Sequence, residues 1–195
     1  MKKANRMKKT FVLLFAVLSP LLVKAQITGT GEIFRDVQTF EGKVVFVKEI
    51  ILPSNDLNTN FSNLRNWANI NFDKDPFNSS VNYDTKNNKI VARSRVELLL
   101  PVNSKGIREK LFMKFKVHAF LKDNLCILEI TDINYINDAK ANRNTLKQKV
   151  KAEDMITDAA LAKEDADKGT RIDVRENTLY FYNDLANSLE KALNR

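Results

Sequence analysis

Alternation of apolar and polar side chains dominates the middle of the chain and predicts a set of β-strands. The most regular example runs from Leu111 to Leu121, where every second residue is apolar. The patterns over 90–100 and 125–136 predict two more long strands, and Val81–Tyr83 predicts a short one. A period of two places successive side chains on opposite faces of a sheet, so each strand should bury one face.

Tight turns are expected at Asn87-Asn88 and Asp123-Asn124, because Asn and Asp tolerate positive φ angles. The second turn sets the register of the two strands that it joins. The predicted pairs are Leu121 with Cys126, Ala119 with Leu128 and Val117 with Ile130 on the inner face, and Phe120 with Ile127 and His118 with Glu129 on the outer face. A slip of one residue would turn the apolar set outward, so this register is strongly preferred.

Two segments have the helical period instead. The first carries an apolar face formed by Leu57, Phe61, Leu64 and Ala68, with Trp67 beside it. Ser54 or Asp56 would cap this helix, whose intrinsic propensity is weakened by seven Asn between positions 55 and 71. The second helix runs from Thr178 to Leu193, and its apolar face is formed by Tyr182, Leu185, Leu189 and Ala192.

The remaining segments flank this core. Val44–Leu52 has apolar residues at both odd and even positions, which is typical of a strand covered on both faces. Residues 26–42 are interpreted as an extended lead-in. Residues 137–172 are rich in charge and lack aromatic side chains, so we interpret them as a loosely docked helical excursion or linker. Residues 173–195 form the C-terminal amphipathic helix that packs on the domain.

Residues 43–136 are predicted to form a strand, a helix and four further strands, and the C-terminal helix follows. This order of elements predicts an α+β fold. Four consecutive strands in hairpin connection make an antiparallel sheet, and two amphipathic helices need a surface to cover. The simplest arrangement is two layers, with both helices on one face of the sheet and the other face open.

Residues 1–25 have the three-part pattern of a secretory signal peptide. A basic start precedes a thirteen-residue apolar run from Phe11 to Val23, and Val23-Lys24-Ala25 offers a cleavage site after Ala25. Translation begins at Met1 or at Met7, which opens a second basic start. The run is shorter than the roughly 20 residues that a membrane-spanning helix needs, so we expect no transmembrane span in the mature chain. The expected location is the periplasm or the cell exterior.

Removal of residues 1–25 changes the charge of the protein. The full chain has 32 basic and 24 acidic side chains, whereas the mature chain keeps 26 basic and 24 acidic ones. A net charge near +2 gives little support to nucleic-acid binding, which usually shows a strong basic footprint. We therefore expect no nucleic-acid partner.

The residues that could carry chemistry are few. His118 is the single His, and opposite Glu129 it is more simply a cross-strand surface pair than a general base. Cys126 is the single Cys, and its inward position is typical of a small buried hydrophobe. The acidic residues between Asp154 and Asp167 do not have the spacing of a calcium loop. We predict no catalytic, cofactor-binding or metal-binding residues.

The outer face of the sheet combines basic and aromatic side chains. Its predicted members are Arg93, Arg95, Phe112, Lys114, Lys116, His118 and Phe120, with Ile127 beside them. Cations interleaved with aromatic rings are typical of surfaces that bind anionic partners. A solvated face that binds nothing is the simpler alternative, and Glu97 and Glu129 on the same face would then neutralise the cations.

The sequence resembles a known family in its signal peptide, in the strand over 42–52 that ends before Pro53, in the helix from Leu57 through Trp67 and in the hairpin that ends near Tyr135. It is the secreted bacterial family called domain of unknown function 4468, and the resemblance covers roughly Gly42–Ile136. The resemblance implies a fold similar to that of the TATA-box-binding protein (TBP). It implies no catalytic residues.

Three functions are compatible with these features. The first is a non-enzymatic binding module of the periplasm or cell envelope, whose partner is an envelope protein, a peptide or an anionic glycan. The second is a structural subunit of an envelope assembly. The third is a carboxylate- or metal-dependent enzyme, which has the least support because no nucleophile or metal-ligand pattern occurs.

Overall fold

The computed structural model describes residues 34–102, 106, 108–137 and 149–194, which form eight strands and four helices. The strands are β1 (Thr39–Phe40), β2 (Lys43–Val44), β3 (Phe46–Ile51), β4 (Ser79–Asp84), β5 (Lys89–Val102), β6 (Arg108–Lys122), β7 (Leu125–Asn137) and β8 (Lys149–Lys151). The helices are α1 (Leu57–Phe72), α2 (Ala152–Met155), α3 (Asp158–Leu161) and α4 (Lys168–Leu193). The series from β3 through α1 and β4–β7 to α4 has the predicted order, so the α+β class is confirmed.

The strands form one antiparallel sheet in the order β3-β7-β6-β5-β4, and β8 pairs with the far end of β7. β1 and β2 form a separate two-stranded sheet. The tight turns lie where the sequence predicts them. Asn88 has a φ of 48° and Asp123 a φ of 52°, the left-handed conformation that Asn and Asp tolerate better than most residues.

The predicted register of β6 and β7 is confirmed. The observed pairs include Leu121 with Cys126, Ala119 with Leu128, Val117 with Ile130, Phe120 with Ile127 and His118 with Glu129. A β-bulge that the alternation does not predict then shifts the register by one residue between Lys114 and Lys116. Asp132 lies in this bulge with a φ of 54°. The bulge reverses the parity of β7, so that Ile133 and Tyr135 continue the buried face.

The prediction that β3 is covered on both faces is wrong. Phe46 and Ile50 are buried, but Val47 and Ile51 have exposed fractions of 46% and 69%. β3 lies at one edge of the sheet, and its second apolar set faces the side that the helices do not cover. Burial of a strand on both faces requires a layer on each side, and the described residues supply one layer here.

Helix α1 begins where its cap is predicted and extends four residues beyond Ala68, to Phe72. The Asp56 carboxylate caps it by accepting hydrogen bonds from the Asn58 N–H at 3.0 Å and the Thr59 hydroxyl at 2.6 Å. At least three of the seven Asn form side-chain hydrogen bonds; the buried Asn60 amide, for example, donates to the Ser54 carbonyl oxygen at 2.7 Å. Such contacts compensate for the weak helix propensity of Asn.

Helix α4 packs across the sheet and completes the core. Tyr182 is fully buried among the rings of Phe46, Phe115 and Phe181, with centroids 5.0–5.6 Å away. The Tyr182 hydroxyl donates to the Met113 sulfur at 3.2 Å. This aromatic cluster joins α4 to β3 and β6. Helix α1 lies beside α4, and the Trp67 indole N–H donates to the Ser188 hydroxyl at 2.8 Å.

Helix α4 starts at Lys168, ten residues before the predicted start at Thr178. The apolar pattern does not reveal its first turns because a charged residue, Arg171, takes a buried position there. The Arg171 guanidinium donates to the Lys163 carbonyl oxygen at 2.7 Å and pairs with the Asp165 carboxylate at 2.9 Å. These bonds tie the turn before α4 to the helix.

The predicted loosely docked excursion over 137–172 differs from what is observed. Its first residue, Asn137, ends β7, and its other described residues are 149–172. These are helical in α2 and α3, as predicted, but they also add β8 to the sheet. Ala152, Ile156 and Ala160 are buried, so this part packs against the domain. Residues 138–148 lie outside the described residues.

The lead-in is anchored at its first described residue. The Asn183 side chain accepts a hydrogen bond from the Phe34 N–H at 2.6 Å and donates one to the Phe34 carbonyl oxygen at 3.0 Å. The Phe34 ring is buried against Phe46. The predicted signal peptide, residues 1–25, lies outside the described residues. Among the described helices, none is long and apolar enough to cross a membrane.

Candidate functional site

The predicted outer face of the sheet forms as expected. β5, β6 and β7 present one set of side chains away from α1 and α4: Arg93, Arg95, Phe112, Lys114, Lys116, His118, Phe120 and Ile127. All of them are exposed or half-buried, whereas the alternate residues of the same strands are largely buried. No helix of the described residues packs on this face, which we call the open face.

Four cations on the open face lie in two directly opposed pairs. Arg93 pairs with Lys116 across β5 and β6, and Arg95 pairs with Lys114. Directly opposed side chains have Cβ atoms about 5 Å apart, so like charges here repel each other. Arg95 also stacks on Phe112, with its guanidinium carbon 3.8 Å from the ring centroid, a cation–π contact that orients it.

The simpler alternative, in which Glu97 and Glu129 neutralise the cations, is not observed at Arg93, Lys114 or Lys116 among the described residues. Glu97 forms its ion pair with Lys110, at 3.3 Å, and Glu129 lies opposite His118. Within the described part of the chain, no carboxylate forms an ion pair with Arg93, Lys114 or Lys116. The repulsion between Arg93 and Lys116 is therefore left for water, salt or a ligand to relieve.

The two cation pairs form the floor of a concave site of about 490 Å³, which we call the basic trough. One wall is the segment Pro76–Ser80, which leads into β4, and the other is the bulge of β7 with Asp132 and Asn134. Asp75 holds the first wall by accepting hydrogen bonds from the Phe77 N–H and the Asn78 side chain. The Phe77 ring lies at the trough with 96% of its surface exposed.

The side chains on the floor of the trough were predicted from the sequence. The two walls were not predicted. The bulge leaves a trace in the sequence, because the buried apolar residues step by three positions from Ile130 to Ile133 instead of by two. The Pro76–Ser80 wall leaves a weaker trace, a polar segment that contains one Phe. Neither trace indicates that the two segments lie on either side of the same floor.

His118 lies next to the trough, on the same face as Lys116. Burial lowers its pKa below the ordinary value of 6.5, and Lys116 and Lys89 lower it further. Glu129 and Asp132 act in the opposite direction but do not outweigh these effects. The imidazole is therefore neutral at pH 7. Its direct cross-strand neighbours are Val91 and Glu129, which is the expected surface pairing.

A pH titration should detect the Lys116 charge through His118. We expect the C2–H proton resonance of His118 to titrate with a midpoint below 6.5 in the untagged protein, and the Lys116→Gln variant to raise that midpoint. Because the pKa is lowered on folding, the His118 contribution to stability is present above pH 6.5 and is lost as the pH falls through the folded-state value.

Lys122→Gln is the control for this titration, because Lys122 is exposed on β6 beyond Phe120. It should move the His118 midpoint less than Lys116→Gln does. Equal midpoints in the wild type and in Lys116→Gln would contradict the arrangement of the face.

The other side chains that could in principle take part in chemistry have structural roles. Cys126 is fully buried, and burial raises the pKa of its thiol to about 12, so it is not a nucleophile at neutral pH. Burial likewise raises the pKa of Tyr135, whose hydroxyl is hydrogen-bonded to the Thr178 hydroxyl. It also raises the pKa of Tyr182, whose hydroxyl donates to the Met113 sulfur. Acidic residues that precede α4 form ion pairs with basic residues of that helix, for example Asp158 with Arg175. The described residues contain no cluster of three or more potential metal ligands.

An antiparallel sheet with helices on one face and the other face open defines the protein as a TBP-like α+β domain. Residues 46–136 match the family model described as "Domain of unknown function (DUF4468) with TBP-like fold". The resemblance to this family that was inferred from the sequence is therefore confirmed over these residues.

Solved structures that share this fold include the following two. A TBP-like protein from Parabacteroides distasonis ATCC 8503 is 24% identical with a TM-score of 0.68, and the match covers 80% of this chain and 96% of that chain. A DUF4468 family protein from Bacteroides ovatus ATCC 8483 is 18% identical with a TM-score of 0.64, and the match covers 82% and 91% respectively. A comparison with curated protein sequences finds no match. Function has to be argued from the site, since a fold hosts many functions.

Proposed function

We propose that this domain is a non-enzymatic binding module that receives an anionic partner on the open face of its sheet. The observation that carries the proposal is the directly opposed cation pair Arg93–Lys116. Opposed like charges destabilise a sheet slightly unless an anion lies between them. A partner with acidic groups would relieve this repulsion on binding.

The shape of the site also favours binding. A concave volume of about 490 Å³ lies within the range of small-ligand sites. The exposed Phe77 ring and the guanidinium of Arg95 stacked on Phe112 add flat surfaces that a partner can cover. The groups that would support catalysis are poorly placed by contrast, because Cys126 is buried and His118 has a carboxylate and a valine as its direct cross-strand neighbours.

A charge-reversal experiment tests the binding function. The Lys114→Glu, Lys116→Glu double variant should keep its fold, because both side chains lie on the open face, and should lose capture of the anionic partner from a cell-envelope extract. Capture by the wild type should weaken between roughly 50 and 300 mM salt, since exposed charge contacts are screened over about 10 Å at 0.1 M.

The matched control is Lys86→Glu, Lys191→Glu, which makes the same change of net charge at two exposed residues outside the trough. This control should capture the partner as the wild type does. If the folded Lys114→Glu, Lys116→Glu variant captures as much partner as the control, the open face is not the binding surface.

We also propose that the protein acts outside the cytoplasm, in the periplasm or at the cell exterior. The support is the basic start, the thirteen-residue apolar run and the Val23-Lys24-Ala25 site in the sequence. Amino-terminal sequencing or intact mass of the protein from its native cell should show a chain that begins at Gln26, or at its cyclised form. A cytoplasmic product that begins at Met1 or Met7 would contradict export.

A further inference from the structure

The basic trough has a composition that narrows the class of its ligand. Its floor carries four cations, yet its wall includes the Asp132 carboxylate and the polar side chains of Asn78, Ser80 and Asn134. A ligand in the trough therefore meets cations and a carboxylate at the same time. The ligand has to bring acidic groups for the floor and hydrogen-bond donors for Asp132.

Asp132 disfavours a ligand of dense negative charge. A polyphosphate or a nucleic acid presents acceptor oxygens throughout and would be repelled by this carboxylate. The bulge holds Asp132 beside the floor, because its φ of 54° and the 2.6 Å bond from the Asn134 side chain to its carbonyl oxygen define the local backbone. A sugar hydroxyl, in contrast, donates a hydrogen bond to such a carboxylate.

The position of the trough also disfavours an extended acidic peptide. Peptides that add to a sheet pair with the open backbone groups of an edge strand. The floor of the trough lies on β5 and β6, whose backbones are paired on both sides by β4 and β7. The lining offers no deep apolar pocket for a side chain, and the Phe77 ring stands exposed at the wall.

The Phe77 ring suits the remaining class of ligand. A flat aromatic face carries negative charge density and attracts polarised C–H groups, such as those on one side of a pyranose ring. Carboxylates pair with Arg in a bidentate manner, which Arg93 on the floor can provide. From these features together we infer that the basic trough binds a carboxylated saccharide, an inference that rests on the anionic-partner function proposed above.

Calorimetry with three defined probes tests the inference. The probes are tetragalacturonate, its methyl ester and tetraglutamate. The acid and its ester share a ring and hydroxyl pattern but differ in charge, whereas the peptide carries four side-chain carboxylates without the sugar. We expect tetragalacturonate to bind at least about tenfold more tightly than either other probe, a ratio typical of one charged hydrogen bond. The His118 resonance should shift on binding, because the site lies beside it.

Asp132→Asn separates a saccharide site from a simple basic patch. Asn adopts the positive φ of this position as readily as Asp, so the bulge should survive. A basic patch would bind every anion more tightly once the carboxylate is removed. A saccharide site loses its charged acceptor, so the affinity for tetragalacturonate should fall about tenfold. An unchanged or higher affinity would overturn the inference.

Phe77→Ala tests the aromatic contribution. The ring is 96% exposed, so its removal should leave the melting temperature unchanged and weaken tetragalacturonate binding severalfold. Phe40→Ala is the control, because Phe40 is also exposed but lies on β1, outside the trough. Equal affinity of the two variants would contradict a stacking role.

The outcomes distinguish this inference from the binding function itself. If tetraglutamate binds as tightly as tetragalacturonate, or if no probe binds at millimolar concentration, the saccharide inference is wrong. The binding function would still stand if Lys114→Glu, Lys116→Glu abolishes capture of the native partner. If that double variant keeps the native partner, both proposals are wrong.

Discussion

Phe115→Ala is expected to lower the free energy of unfolding by about 3–5 kcal/mol, the range for large buried aromatic residues. Phe115 has an exposed fraction of 3% and makes edge-to-face contacts with Phe181 and Tyr182 at 5.6 and 5.4 Å between centroids. Truncation would leave a cavity between β6 and α4. Chemical denaturation followed by tryptophan fluorescence should report the change, because Trp67 is buried in the same core.

Lys116→Ala is the control for this experiment, because Lys116 is the next residue on β6 and points to the open face. Its expected effect is about 0.5 kcal/mol or less, as for most surface substitutions. The loss of one cation from an opposed pair would act in the stabilising direction. If the two variants unfold at the same denaturant concentration, the assignment of inner and outer faces is wrong.

Asn183→Ala is expected to lower the free energy of unfolding by about 2–4 kcal/mol, since a buried polar group left without its partner costs about 1–3 kcal/mol. The Asn183 amide satisfies both backbone groups of Phe34, at 2.6 and 3.0 Å. Hydrogen exchange should show the segment around Phe34 opening well before the sheet does. The contact of the Phe34 ring with Phe46 would remain.

Asn187→Ala provides the comparison, because Asn187 lies one turn further along α4 and is half-buried. It should change the stability by about 0.5 kcal/mol or less. Asn183→Asp adds a second test, because a carboxylate accepts from the Phe34 N–H but cannot donate to its carbonyl oxygen. If the rate of hydrogen exchange near Phe34 is the same in all three variants and in the wild type, the Asn183 side chain does not anchor Phe34.

Much of the fold follows from local pattern. The β6–β7 register could be predicted because both strands alternate and a two-residue turn sets their offset. The start of α4 could not be predicted, because buried Arg171 is stabilised by Asp165 and a carbonyl oxygen rather than by apolar packing. The prediction that β3 is covered on both faces failed because Val47 lies on the face of the sheet that no described layer covers.

The candidate site could likewise be predicted only in part from the sequence. Alternation along the strands is enough to place Arg93, Lys114 and Lys116 on one face, and the register of β5 and β6 sets Arg93 opposite Lys116. Glu97 and Glu129 lie on that face too, but which cation each carboxylate approaches depends on side-chain positions across strands. Among the described residues, the structure pairs Glu97 with Lys110 and shows no ion pair between a carboxylate and Arg93, Lys114 or Lys116.

Short-range pattern in the sequence was sufficient to establish which side chains share a face, where the turns fall and which face the two helices cover. These properties follow from periodicity and from the turn preferences of Asn and Asp. Long-range packing was needed to bring the Pro76–Ser80 segment and the Asp132 bulge to either side of one floor, and to set Asn183 against Phe34. Those contacts join residues far apart in the chain, and their geometry depends on how the whole sheet twists and packs.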